Sequence, residues 1–218
     1  MKSIESLIKE VEEKWLSKLY SFCKGLFTGN KIPSHDHTHH LRVWNYAREI
    51  LFALNQTIKI NYKLVEGTLI ACMFHDTGLT ITLGEYHGIE SKKICERYFQ
   101  ENKLNKPSNF EEVLIAIELH DDKDYKQIIS DPASILPVLC NADDLDAFGR
   151  VGVIRYTEIY LLRGINTSDL SKKVIQNLDK RFANFEKTYG FLPDLYNNHK
   201  ERYLITRRFF EELLKEFI

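Results

Sequence analysis

Eight histidines stand in the 218 residues, and four of them, His35, His37, His39 and His40, fall within six positions. The others are His75, His87, His120 and His199. Histidine has no special preference for helix starts, so the cluster asks for a chemical reason. Neutral imidazole is the commonest metal ligand among side chains. Carboxylates accompany the histidines: His75 is followed by Asp76, and Asp143 lies in Ala142-Asp143-Asp144-Leu145-Asp146-Ala147. Brought together in space, such groups bind a divalent metal ion.

Taken one at a time, each residue has an ordinary explanation. His75-Asp76 ends the most apolar stretch of the chain, where a buried ionised Asp is costly unless it is paired or metal-bound. Taken alone, the pair reads more simply as a helix end, with His stabilising the last carbonyls and Asp solvated. By the i, i+3, i+4 rule, Leu136, Leu139, Cys140, Asp143 and Ala147 share one stripe. Asp143 therefore points inward, Asp144 is expected on a solvated acidic face, and Asp146 does not fit that face. His120 continues the Val113, Ile117 stripe as a core histidine would. His87, in a Gly-flanked loop before a helix, reads as a surface or capping residue. Together they place imidazoles and carboxylates at the ends of successive helices, which is how helical bundles build metal sites.

The elements that must position them are helical throughout. Apolar periodicity predicts helices over about 3–26, 37–55, 62–74, 88–100, 110–120, 134–148, 153–162, 168–189 and 196–217. The third is apolar nearly all round and belongs at the centre. Residues 79–87 read as a loop, 121–132 as a charged surface loop, and Gly149 and Gly152 as a break. With no strand pair, repeat or low-complexity tract, the fold class is all-α, and residues 1–218 form a single domain.

Three local sequences then resemble a known family. His35-Asp36-His37-Thr38-His39-His40-Leu41-Arg42-Val43-Trp44 is similar to the H-D-x-x-H-x-x-R-V-W opening of small bacterial HD hydrolases. Phe74-His75-Asp76-Thr77-Gly78 resembles the H-D-[IT]-G element, and Ala142–Ala147 resembles A-D-x-L-D-A. In order, they form the H…HD…D signature of the HD-domain metal-dependent phosphohydrolase superfamily. The resemblance implies a helical bundle, with the HD core over about 35–155 and a C-terminal extension over about 156–218. It also implies His39, His75, Asp76 and Asp143 as metal ligands. His37 and His40 become supporting or surface residues. His87 and His120 fall where some members hold a second metal, and either that or a substrate phosphate is open to them. Cyclic dinucleotides are disfavoured as substrates, because Leu79 stands where that subgroup has Lys and no G-Y-P motif occurs.

The implied donor set suits Mn²⁺, Fe²⁺, Co²⁺, Ni²⁺ or Zn²⁺ better than Ca²⁺, with Mg²⁺ also open. The expected activity is hydrolysis of a phosphate ester or anhydride by metal-activated water, with a nucleotide as substrate and a nucleotidase or nucleoside triphosphate pyrophosphohydrolase as the type. The alternative is a non-catalytic nucleotide-binding or signalling module that keeps the fold and metal site. Besides Asp76, two residues are expected in the catalytic machinery: Arg42, one helical turn from His39, as a phosphate clamp, and Asp146, near Asp143, orienting a ligand or accepting a proton. No P-loop, G-x-S-x-G or G-x-G-x-x-G is present.

Composition agrees with this reading. Thirty Lys and Arg against 31 Asp and Glu give a net charge of -1, without the basic excess of a duplex-binding protein. The four cysteines, Cys23, Cys72, Cys95 and Cys140, include no C-x-x-C and are expected as free thiols in a reducing, cytoplasmic setting. No membrane partner is expected, since no apolar run approaches spanning length. The C-terminal helices, with Tyr203, Phe209, Phe210 and Phe217 read as core, either shape the substrate pocket or mediate a homodimer.

Overall fold

The computed structural model describes residues 2–29, 32–83, 87–122, 125 and 131–217. Among these it contains nine α-helices and no strand: α1 Ile4–Leu26, α2 His37–Leu54, α3 Tyr62–Phe74, α4 His87–Glu101, α5 Phe110–Leu119, α6 Ile135–Asp146, α7 Gly149–Leu162, α8 Thr167–Tyr189 and α9 Pro193–Lys215. Short 3-10 turns cover Pro33–His35 and Thr77–Thr80. The protein is all-α.

Helix α3 lies at the centre, because its composition leaves it no polar face. Val65 and Leu69 to Phe74 are fully buried, with α1, α2, α5 and α6 packed around them. Several helix starts are fixed by side chains that satisfy the free N–H groups of the first turn. Asn61 accepts from the Leu64 N–H for α3, and Asn166 accepts from the Asp169 N–H for α8. The four cysteines are buried free thiols.

The sixth predicted helix stops earlier than periodicity indicates. It ends at Asp146, and the chain turns at Gly149, whose φ of 81° favours glycine. Gly152, expected to share in the break, lies inside α7. A side chain there would collide with the Ala147 carbonyl, 1.9 Å from an added Cβ. Arg202 of α9 holds this corner, donating from Nη2 to the Phe148 carbonyl at 2.8 Å and to the Tyr46 hydroxyl at 2.6 Å. Helix α9 begins at Pro193 rather than 196, since proline is well suited to a first helical position. Of its aromatics, Phe210 is fully buried and Tyr203 stacks on Phe182, but Phe209 and Phe217 are exposed rather than core. Most of the expected surface loop at 121–132 lies outside the described residues.

Candidate metal centre

Four donor side chains reach one point from three helices. Asp36 caps α2, accepting from the Thr38 and His39 N–H groups at 2.9 and 3.3 Å, and so sets where His39 falls in the first turn. His75 and Asp76 follow the end of α3, and Asp143 comes from α6. His39 Nε2 lies 3.1 Å from His75 Nε2, 3.1 Å from Asp76 Oδ2 and 3.6 Å from Asp143 Oδ1. One donor atom from each of the four lies within 4.8 Å of all the others. The second Asp76 oxygen meets another pair: His120 Nε2 at 3.0 Å and His87 Nε2 at 3.2 Å. Asp76 thus joins two groups of donors.

The imidazoles are oriented from behind. His39 Nδ1 lies 2.8 Å from Asp146 Oδ2, and His87 Nδ1 lies 3.1 Å from Asp121 Oδ2. His75 Nδ1 donates to the Cys72 carbonyl at 2.9 Å, and His120 Nδ1 donates to the Ile117 carbonyl at 2.7 Å. A carbonyl or carboxylate only accepts, so each Nδ1 carries a proton and each ring turns its Nε2 toward Asp76. An Nε2 that gives up its proton faces the carboxylate with a lone pair, and the two repel unless a cation lies between them. The set fits a divalent ion, and its mixed nitrogen and oxygen chemistry is that of a transition metal.

The electrostatics point the same way. Burial would raise the Asp76 carboxyl, but His75, His120, His39 and His87 outweigh it and hold the group well below the usual carboxylate range. Burial keeps His75 well below the ordinary imidazole value. Burial and Arg155 act downward on His39 too, yet hydrogen bonds to Asp146 and Asp76 prevail and raise it. Proton and metal therefore compete for the same Nε2.

Asp143, Asp76, His87 and His120 line a cavity of about 850 Å³, with His39 and His75 fully buried beside it. Neither Arg42 nor Asp146 is among the residues that line it. Arg42 donates from Nε and Nη2 to Asp146 at 2.8 and 3.1 Å, so its fork is occupied in holding the carboxylate that orients His39. Asp144 is not on a solvated face. It is fully buried, accepting from Arg181 Nη1 at 2.7 Å and from the Tyr125 hydroxyl at 2.6 Å. His87 opens α4 rather than preceding it.

Three cavity residues escaped sequence reasoning. His35 lines the wall, its Nδ1 2.9 Å from Ser34 Oγ, which in turn donates to Glu158. Arg155 of α7 is buried and reaches Asp146 Oδ2 at 3.0 Å and Asp143 Oδ1 at 3.4 Å. Arg181 of α8 reaches Asp143 Oδ2 at 3.4 Å. A signal existed. Arg155 shares its stripe with Gly152 and Ile159, and Arg181 lies one turn from Phe185, so both basic residues border inward-facing positions.

His40 is fully buried, its Nδ1 donating to the Cys72 carbonyl at 3.1 Å, while its Nε2 has no partner among the described residues. Burial and the neighbouring His39 push this imidazole down to about 4. Between its ordinary value of 6.5 and about 4, the unfolded chain takes up a proton that the folded chain refuses. Stability contributed by neutral His40 is therefore present above 6.5 and is lost as pH falls. The slope is about 1.4 kcal/mol per pH unit, or about 3 kcal/mol across the window. His40→Gln is expected to remove that slope from the urea midpoint measured against pH. An unchanged slope in the variant counts against the assignment.

In comparison with protein families, the HD domain model matches residues 37–148, just over half of the chain. The matched stretch contains His39, His75, Asp76, His87, His120, Asp143 and Asp146, but neither Arg155 nor Arg181. No curated protein and no solved structure gives a significant match. Among the described residues, no helix is long and apolar enough to cross a membrane.

Proposed function

Because the chain belongs to the HD domain family, a superfamily of metal-dependent phosphohydrolases, we propose that it hydrolyses a phosphate ester or anhydride of a nucleotide. His39, His75, Asp76 and Asp143 hold one divalent ion. His87 and His120, with the second oxygen of Asp76, hold a second ion or a substrate phosphate. The observation that carries the reading is the convergence of four oriented Nε2 atoms on one carboxylate at the wall of an 850 Å³ cavity. The local sequences at 35–44 support placement in the small bacterial subgroup, and the packing of α8 on α6 and α9 supports a single domain.

The bound ion supplies Lewis acidity toward a phosphoryl oxygen and lowers the pKa of water. The chain supplies position. Asp146, gripped by Arg42 and Arg155, fixes the His39 ring, and the backbone carbonyls of Cys72 and Ile117 fix His75 and His120. Phosphoryl transfer asks mainly for such positioning and for charge stabilisation, so no protein nucleophile is needed.

The test uses chelator-stripped protein with Mn²⁺, Mg²⁺, Co²⁺, Ni²⁺ or Zn²⁺ and a panel of nucleoside mono- and triphosphates, with products separated by chromatography. Metal-dependent release of phosphate or pyrophosphate is expected, and the product pattern separates nucleotidase from pyrophosphohydrolase. No turnover from folded, metal-binding protein overturns the reading in favour of a nucleotide-binding module.

A further inference from the structure

Opposite in chemistry to the carboxylate and imidazole wall, helices α7 and α8 line the same cavity with hydrogen-bond donors. Asn177 is the key to their arrangement. Its Oδ1 lies 2.9 Å from Arg181 Nε, which can only donate, so the oxygen is identified and the amide nitrogen follows from it. Tyr156 donates to the same oxygen at 2.8 Å. Both acceptor positions of Asn177 are thus used within the wall, and the Nδ2 hydrogens remain. Arg155 is 5% exposed, and its Nε is buried with no hydrogen-bond partner among the described residues, although both its terminal nitrogens are engaged. A buried, charged N–H without an acceptor is costly. Arg163 lies at the exposed end of α7 and also lines the cavity; among the described residues its side chain meets the Leu83 carbonyl at 3.5 Å.

Two of these donors, Arg155 and Arg181, meet Asp143 of the candidate metal centre. Asp143 faces His39 with Oδ1 at 3.6 Å and Arg181 with Oδ2 at 3.4 Å. A ligand reaching past Asp143 passes from the metal donors to a wall of cations and amide hydrogens. Arginine forks and amide N–H groups match phosphate oxygens, which only accept. Tyr160, half-buried and lining the same cavity, offers ring surface suited to a base or sugar.

We propose that Arg155, Arg163, Arg181 and Asn177 form a subsite for a second phosphoryl group adjacent to the scissile one, so that the substrate class is a nucleoside di- or triphosphate rather than a monophosphate. The choice of ligand rests on the phosphohydrolase reading above, but the subsite is tested by binding, without turnover.

The probes are methylenediphosphonate and methylphosphonate, neither of which can be hydrolysed at a P–O–P bridge. Each is titrated calorimetrically into the full-length protein in excess Mg²⁺, so that chelation by the probe does not strip the protein. The first variant is Asn177→Asp, which keeps an oxygen for Tyr156 and Arg181 but replaces the donors with negative charge. The second is Arg163→Gln at the exposed mouth, where loss of folding is not expected. The wild type is expected to prefer the diphosphonate by tenfold or more. Either variant should cut that preference by at least about fivefold and leave methylphosphonate affinity within about twofold.

A preference unchanged in both folded variants overturns the subsite. So does a wild type that binds the two probes equally. Preference without turnover of any nucleotide would keep the subsite and sink the hydrolase reading. Turnover of monophosphates alone, with no diphosphonate preference, would do the reverse.

Discussion

Asp76→Ala is expected to lower metal-dependent phosphate release by at least about 10³-fold, which corresponds to about 4 kcal/mol of lost transition-state stabilisation. It should also reduce the number of Mn²⁺ ions bound per chain. The reason is the double role of this one carboxylate. Its Oδ2 faces His39 and His75, and its Oδ1 faces His120 and His87, so the substitution takes an oxygen from both donor groups at once. Folding should survive, because the imidazoles left behind can all be neutral and no uncompensated charge stays buried. Circular dichroism would separate loss of the ion from loss of the fold. Full turnover in Asp76→Ala would remove the basis of the proposed site.

How far this site could be read from the sequence follows from where its parts lie. The ligating groups sit in motifs of a few residues, such as His75-Asp76, and helical periodicity places those motifs at the ends of the right elements. Helix α3 was legible to the residue, since its apolar run ends where His75 must turn toward the cavity. What pairs with each ligand was not legible, because partners come from distant helices. Arg155 and Arg181 lie outside the family match and meet Asp143 only once α7 and α8 pack against α6. The same gap misplaced Asp144. Its neighbours in sequence give a charged face, but Arg181, 37 positions away, makes a buried carboxylate affordable. For Arg42 the gap runs the other way: helical spacing placed it near His39 and could not say that Asp146 holds its guanidinium.

The buried ion pairs behind His39 carry the second large effect, and they separate structural support from metal ligation. Asp146 is fully buried and accepts from Arg42, Arg155 and His39. Removing it by Asp146→Ala takes the shorter of two ion pairs from the buried Arg155 guanidinium and leaves it the longer contact to Asp143 at 3.4 Å. Losing one partner of such a group costs about 3–5 kcal/mol. For a chain of this size that lowers the melting temperature by roughly 6–20 °C. Asp146→Asn keeps the shape and one acceptor oxygen, so it should lose less stability. It should still weaken metal binding by about 10–100-fold, because His39 loses the carboxylate that fixes its ring and raises its basicity. Arg42→Ala gives the contrast. Its side chain is 29% exposed, water can replace it at Asp146, and its cost should stay near about 1 kcal/mol. The order expected in thermal unfolding is therefore Asp146→Ala well below Asp146→Asn, with Arg42→Ala nearest the wild type. A melting temperature for Asp146→Ala within a degree or two of the wild type would mean that Arg155 finds solvent or another acceptor, and the role assigned to Asp146 would fail with it.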